Sequence, residues 1–176
     1  MNRMMQVPHL RNHYSNLVMQ FLKEQVENIN TDMSILDIGC GHMRNLKLFE
    51  LLGFKELHAL DIDPTDNPLD VKYKTFTQHN IINRLPYKDK SFDIVLCNYV
   101  LMFIEPEYMQ EVVADIFRVS RNYVILETAR RKDFNTKTTN YTNYNFEEIV
   151  RFVPTDFEII KQRNYREKLI ARRLYG

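Results

Sequence analysis

Two glycines one residue apart, Gly39 and Gly41, follow the apolar run Ile35-Leu36-Asp37-Ile38, which carries an acid close to the turn. Glycines at this spacing let the backbone bend sharply and approach a ligand closely, because a side chain would obstruct both. A second acid, Asp61, ends the stretch Glu56-Leu57-His58-Ala59-Leu60-Asp61, 20 residues past Gly41. At that separation a dinucleotide-type fold sets the carboxylate that accepts hydrogen bonds from ribose hydroxyls. The chemistry these residues suit is a grip on a nucleoside-bearing ligand, with backbone at its polar end and a carboxylate at its sugar.

The elements needed to position them can be read from the apolar pattern. Met33 to Ile38 reads as a buried strand, and Met43 to Leu52 as a helix with Leu46, Leu48, Phe49, Leu51 and Leu52 on a broad apolar face, stopped by Gly53. A strand, a glycine turn and a helix form the ligand crevice of an open α/β sheet. Glu56 to Asp61 is the second strand, Tyr73 to Thr77 the third and Phe92 to Asn98 the fourth. The fourth is almost continuously apolar, as suits a central parallel strand covered on both faces. Pro64 and Pro68 argue against a long helix between the second and third strands. Pro106 to Val119 forms a helix with Tyr108, Val112, Val113, Ile116 and Phe117 facing the core, and Tyr123 to Glu127 is strand five. A short helix from Phe146 to Phe152 leads to two antiparallel strands, Phe157 to Gln162 and Lys168 to Leu174. Ahead of all these, Leu10, Tyr14, Leu17, Val18, Phe21, Leu22 and Val26 recur at three- and four-residue spacing, which predicts an amphipathic helix from His9 to Ile29 with Pro8 at its first turn.

Asp37-Ile38-Gly39-Cys40-Gly41 resembles the first motif of class I S-adenosylmethionine (SAM)-dependent methyltransferases, and the later motifs of that family follow in order over roughly residues 10 to 175. The resemblance implies a doubly wound α/β fold: a mostly parallel seven-stranded sheet in the order 3-2-1-4-5-7-6, strand 7 antiparallel, with helices on both faces. It implies one domain over residues 1–176, with 1–30 as the N-terminal helix and 128–145 as a substrate loop. It also implies SAM as cofactor and S-adenosylhomocysteine as product. Asp37, Gly39, Cys40 and Gly41 then hold the methionine end, Asp61 the ribose, and Asn80 the adenine amino group, with Ile62 and Ile81 on either side of the ring. Asn98, closing the fourth strand, completes the cofactor set. Asp63 is the rival acid to Asp61. Two positions depart from the family pattern: Met43 stands where a third glycine is common, and Asn80 where an acid is usual. An Asn still accepts from an amino group through its amide oxygen, but without charge.

Methyl transfer is a direct in-line displacement on a sulfonium carbon, so positioning can carry most of the catalysis and a general base is optional. The resemblance names His13, Tyr14, Tyr99 and Glu127 as substrate-facing candidates, Glu127 by its place at the tip of strand five. Asn98-Tyr99-Val100-Leu101 is not the Asn-Pro-Pro-Tyr tetrad of enzymes that methylate adenine N6 or glutamine amides, which disfavours those acceptors. The acceptor itself is not specified.

Net charge is +1, with an excess of acid up to residue 128 and of base after it. Arg130, Arg131, Lys132, Lys161, Arg163, Arg166, Lys168, Arg172 and Arg173, with Tyr141, Tyr144 and Tyr165, could meet a nucleic acid, but outer strands and loops carry such charge routinely. A small-molecule acceptor is favoured. The histidines and the two cysteines lack metal-ligand spacing, so no metal is expected. No apolar run is long enough to span a bilayer and no signal peptide is apparent, so the expected setting is cytoplasmic, with two reduced thiols and no membrane contact. Assembly into an oligomer stays open. Two other classes remain: a SAM-binding regulatory or partner subunit without catalysis, and a nicotinamide-dependent oxidoreductase. The latter is disfavoured because Arg44 takes the place of the third glycine of Gly-x-Gly-x-x-Gly.

Overall fold

The structure, a computed structural model, describes residues 14–64, 66–128, 146–163 (the side chain of Arg163 aside) and 167–175. The chain divides into two compact units, Met1–Asn80 and Ile81–Gly176. One seven-stranded sheet has the order β3-β2-β1-β4-β5-β7-β6, with β7 antiparallel to its neighbours, as the methyltransferase resemblance implies.

In the first unit, helix α1 (Asn16–Glu24) is followed by β1 (Ile35–Ile38), α2 (Arg44–Leu51), β2 (Leu57–Asp61) and β3 (Thr75–Gln78). Strands β1 to β3 pair in parallel, with Asp37 opposite Ala59 and Asp61 opposite Gln78. The first helix starts later than its apolar periodicity suggests. Ser15 caps it, its hydroxyl accepting from the Leu17 and Val18 amides at 3.1 and 3.2 Å, so Tyr14 lies before the helix. An N-cap hydroxyl satisfies helix-end amides that otherwise lack partners, and here it sets the helix start after Tyr14. The Ser15 amide in turn donates to Asn45 Oδ1 at 3.1 Å, fastening α1 to α2. Leu17, Val18 and Phe21 are buried, but Val26 falls in the turn beyond Gln25 and is exposed. Residues 1–13, including Pro8, Leu10 and His13, lie outside the described residues.

Helix α2 buries Leu46 and Phe49, and Phe49 meets Phe54 edge-on at 5.1 Å. Its apolar stripe is narrower than the sequence suggests, since Leu51 and Leu52 are exposed at its far end. Gly53, at φ 94°, ends the segment in the left-handed region that glycine adopts without strain. No helix occurs between β2 and β3 among the described residues, in keeping with the two prolines there.

In the second unit, β4 (Phe92–Asn98) leads through a 3₁₀ turn (Leu101–Phe103) into α3 (Pro106–Val119) and without a loop into β5 (Ser120–Glu127). Next come α4 (Phe146–Arg151), β6 (Phe157–Arg163) and β7 (Lys168–Arg173). The last five residues of β4 and the last five of β5 are all buried, which requires cover on both faces. The α3 stripe is Met109, Val112, Val113, Ile116 and Phe117. Tyr108, expected on it, sits at the solvent edge of the first turn, where its hydroxyl stays wet. Arg118, at the end of α3, binds Asp115, the Leu85 and Tyr87 carbonyls and Asp89, pinning the segment that enters β4. Arg173 of β7 lies 4.3 Å over the Phe157 ring and donates to the Phe117 and Ser120 carbonyls.

Candidate functional site

Parallel pairing of β1 with β2 brings the glycine turn and the end of β2 side by side. Gly39 and Gly41 have φ of 69° and 48°, and Met43 has 58°, so three left-handed residues alternate through the turn. Such a backbone suits glycine and is strained for Met43. The turn's donors are largely used within the unit: the Gly39 and Cys40 amides both bond the Leu60 carbonyl, and Met43 N bonds the Cys40 carbonyl. Gly41 N donates to Asp61 Oδ2 at 2.8 Å, and Asp63 N donates to Asp61 Oδ1 at 3.2 Å.

Asp61 is therefore fixed by one amide on each oxygen, and Asp63 serves it through its backbone. An ionised carboxylate offers about four lone-pair sites, so two remain for other donors. The end of β3 is tied to the same place: His79 N donates to the Asp61 carbonyl at 2.8 Å, and Gln78 Nε2 to the Ile62 carbonyl at 3.1 Å. Asn80 follows directly and is half-buried, while the Ile62 side chain is 55 % exposed. Gln78 is the residue here that sequence reasoning missed. Its role depends on strand register, which composition does not reveal.

Asp37 is buried beside this turn at 2 % exposure. Burial pushes its carboxyl up to about 7; the Arg44 guanidinium pulls it down and the Asp61 charge pushes it further up. The Cys40 thiol is raised as well, by burial first and then by Asp37 and Asp61, so it is a neutral, unreactive thiol. Cys40 and Cys97 are both buried, and neither is in a disulfide.

In the second unit Asn98, Glu127 and Lys168 stand in one register row across β4, β5 and β7. Glu127 is wholly buried, its carboxylate paired with the Lys168 ammonium. Asn98 Nδ2 donates to Glu127 Oε2 at 3.2 Å, and Tyr99 N to the Glu127 carbonyl at 2.6 Å. Tyr99 holds a left-handed φ of 63°, costly for a residue with a Cβ. Strain of this kind persists where the surroundings dictate it. Next in line, Thr128 Oγ1 donates to Glu167 Oε2 at 2.9 Å. Ile81 is buried and Tyr99 is half-buried. Tyr14 is half-buried just ahead of the Ser15 cap. His13, the part of the substrate loop from 129 to 145, and Arg130, Arg131, Lys132, Tyr141, Tyr144, Tyr165 and Arg166 lie outside the described residues.

The Methyltransferase domain family matches over residues 36–128, just over half of the chain. The chain belongs to that family. The matched span of this methyltransferase domain encloses Asp37, both glycines, Asp61, Asn80, Asn98 and Glu127. The methyltransferase domain is also similar in fold to the magnesium protoporphyrin IX methyltransferase of Synechocystis PCC 6803 with bound S-adenosylhomocysteine: TM-score 0.66, 18% identity, 89% of this chain and 81% of that one covered. The 1,6-didemethyltoxoflavin-N1-methyltransferase of Burkholderia thailandensis gives TM-score 0.68 at 14% identity over 97% and 82%. A SAM-dependent methyltransferase from Archaeoglobus fulgidus gives 0.64 at 16% over 98% and 100%. No curated protein matches the chain.

Proposed function

We propose that the chain, acting as one domain, is a SAM-dependent methyltransferase with a small-molecule acceptor. The observation that carries this reading is the bond from Gly41 N to Asp61 Oδ2, which sets a carboxylate with free lone pairs directly against a glycine turn. The fit to the cofactor rests on that geometry. Gly39 and Gly41 occupy left-handed backbone where a side chain is disfavoured, and their neighbour Asp37 offers a buried acid to an ammonium group. Asp61 would accept from both ribose hydroxyls, Asn80 from the adenine amino group through its amide oxygen, and Ile62 would cover the ring.

Bound SAM supplies a methyl group on a sulfonium, already activated for displacement. The chain's part is to hold an acceptor in line and to exclude water. Asn98 and Tyr99 are held for such a role by Glu127, whose burial and pairing with Lys168 make it a positioning residue and not a base. Tyr14 and His13 remain candidates for closing over the ligand, with the 128–145 segment as the acceptor loop.

A small acceptor is supported by the compounds named for the neighbouring methyltransferases, magnesium protoporphyrin IX and 1,6-didemethyltoxoflavin. It is supported as well by the basic carboxy-terminal strands, where Lys168, Arg172 and Arg173 are paired with Glu127, Glu158 and Asp156 and so offer little charge to phosphates. The test is turnover of methyl-labelled SAM in the presence of separated small-molecule and nucleic-acid fractions of a cell extract. Label in a small-molecule product is expected, and label confined to nucleic acid would overturn the acceptor class. Binding of SAM without transfer to any fraction would favour the second reading, a cofactor-binding subunit, for which the uncharged Asn80 and the sequestered Glu127 speak.

A further inference from the structure

We propose that Glu167 and Lys168, at the head of β7, are positioning residues for the methyl transfer proposed above, on which this role rests. Through Thr128 and Glu127 at the end of β5 they fix the Asn98 side chain and the Tyr99 backbone, the groups after β4 against which an acceptor is aligned.

Two residues with side chains hold left-handed backbone beside the end of β5: Tyr99 at φ 63° and Glu167 at φ 51°. Both are bonded to that strand end through the main chain. Tyr99 N donates to the Glu127 carbonyl at 2.6 Å, and Thr128 N donates to the Glu167 carbonyl at 3.0 Å. Side chains reinforce the two links. Asn98 Nδ2 donates to Glu127 Oε2 at 3.2 Å, Thr128 Oγ1 to Glu167 Oε2 at 2.9 Å, and the Lys168 ammonium pairs with the Glu127 carboxylate. Left-handed backbone in a residue with a Cβ persists where its surroundings over-determine it, and such residues gather at functional sites.

Packing alone does not call for polar groups in this row. In the row beside it Cys97, Leu126 and Leu169 stand in register across β4, β5 and β7 and are wholly buried. Asn98, Glu127 and Lys168 take the next row, where the Glu127 side chain has no exposure and that of Lys168 has 17 %. Taking two charges out of water offsets most of their attraction, and apolar side chains of similar volume often stabilise a fold as well. The pair supplies direction instead: Lys168 and Asn98 leave the Glu127 carboxylate one orientation, while the Glu127 carbonyl holds the Tyr99 amide. Methyl transfer needs the acceptor in line with the bond that breaks, so a turn held in one conformation at the end of β4 can set that alignment.

The experiment follows methyl-labelled SAM, at saturating concentration, into the small-molecule fraction of a cell extract, and measures S-adenosylhomocysteine affinity by calorimetry. Wild type is compared with Lys168→Met, Lys168→Arg and Thr128→Val. Lys168→Met is expected to transfer roughly 10- to 100-fold more slowly, the scale of a misplaced reacting group, with KM for SAM and the affinity for S-adenosylhomocysteine within about twofold of wild type. Lys168→Arg keeps the cation and recovers most of the rate. Thr128→Val removes one hydroxyl at nearly constant volume and slows transfer about 2- to 10-fold, the worth of one hydrogen bond. An unchanged rate in Lys168→Met, or a loss of rate matched by an equal loss of nucleoside affinity, would overturn the proposal, since residues that only hold the fold together weaken both alike.

Amide hydrogen exchange without ligand, resolved by residue, gives an independent reading. The Tyr99 amide, bonded to the Glu127 carbonyl, should exchange faster in Lys168→Met and Thr128→Val than in wild type, while the Gly39 amide of the first unit, bonded to the Leu60 carbonyl, keeps its rate. No change at Tyr99, or an equal change at both amides, would overturn the link to β7. Should Lys168→Met not fold, Thr128→Val carries both measurements with the same overturning results. Wild type that transfers no label defeats the methyl-transfer reading alone, and exchange at Tyr99 still decides whether β7 anchors that turn.

Discussion

The Gly41 amide donates to Asp61 Oδ2 at 2.8 Å, joining the turn that follows β1 to the residue that closes β2. Two elements far apart in sequence are thereby one rigid cradle, and the carboxylate is aimed before any ligand arrives. Preorganisation of this kind lowers the ordering cost of binding.

Gly41 should accordingly tolerate no side chain. At φ 48° an alanine meets the left-handed penalty of about 1–2 kcal/mol, and the amide that fixes Asp61 shifts with it. Gly41→Ala is expected to unfold about 2–4 °C lower per kcal/mol, as suits a chain of this size, and to bind SAM more weakly. Scanning calorimetry and a nucleoside titration check both, and an unchanged midpoint with unchanged affinity would count against the cradle.

The ion pair between Glu127 and Lys168 gives a wholly buried acid a cationic partner. Lys168→Met should cost about 3–5 kcal/mol by leaving a buried carboxylate without that compensation. The double variant Glu127→Gln with Lys168→Met should recover most of it, since the charge is then gone from both sides. Urea denaturation of the four forms measures the coupling, and additive losses would mean that the two residues act separately.

Arg118 makes a different kind of prediction, because it binds two carbonyls and two carboxylates around the segment that leads into β4. Arg118→Lys cannot reproduce that planar fork, so it should lose stability nearly as Arg118→Ala does, on the order of 1–3 kcal/mol. Full rescue by lysine in a urea titration would contradict this.

Asp37→Asn removes a carboxyl whose native proton is held up to about 7. The stability of the variant relative to wild type should therefore increase as pH is raised from about 4 to about 7, by at most roughly 1.4 kcal/mol per unit, and level off above. Unfolding curves at several pH values test the sign directly. A relative stability that fell over that window would mean that Asp37 is ionised in the fold at low pH.

Much of this architecture could be read from residue order. The continuous apolar run of β4, the proline opening α3 and the Gly-x-Gly turn each have a local cause, and each stands where the pattern puts it. The extent of α1 was less legible, because a single hydroxyl at Ser15 caps it after Tyr14, which the periodicity places inside the helix. Val26, Leu51 and Leu52 misled for a related reason: apolar side chains just past a helix end or off its buried stripe stay in water. Asp61 and the glycines announced themselves by spacing, whereas the parts played by Gln78 and Lys168 did not. Their partners are set by strand register, which a linear pattern does not carry.

The most direct measurement is the affinity for SAM of the purified chain and of its Asp61→Ala variant. The loss of charge-assisted bonds to the ribose, about 1.5–3 kcal/mol, should weaken binding roughly 10- to 100-fold in the variant. Equal affinities, or no binding by the unaltered chain, would contradict a cradle built on Gly41 and Asp61.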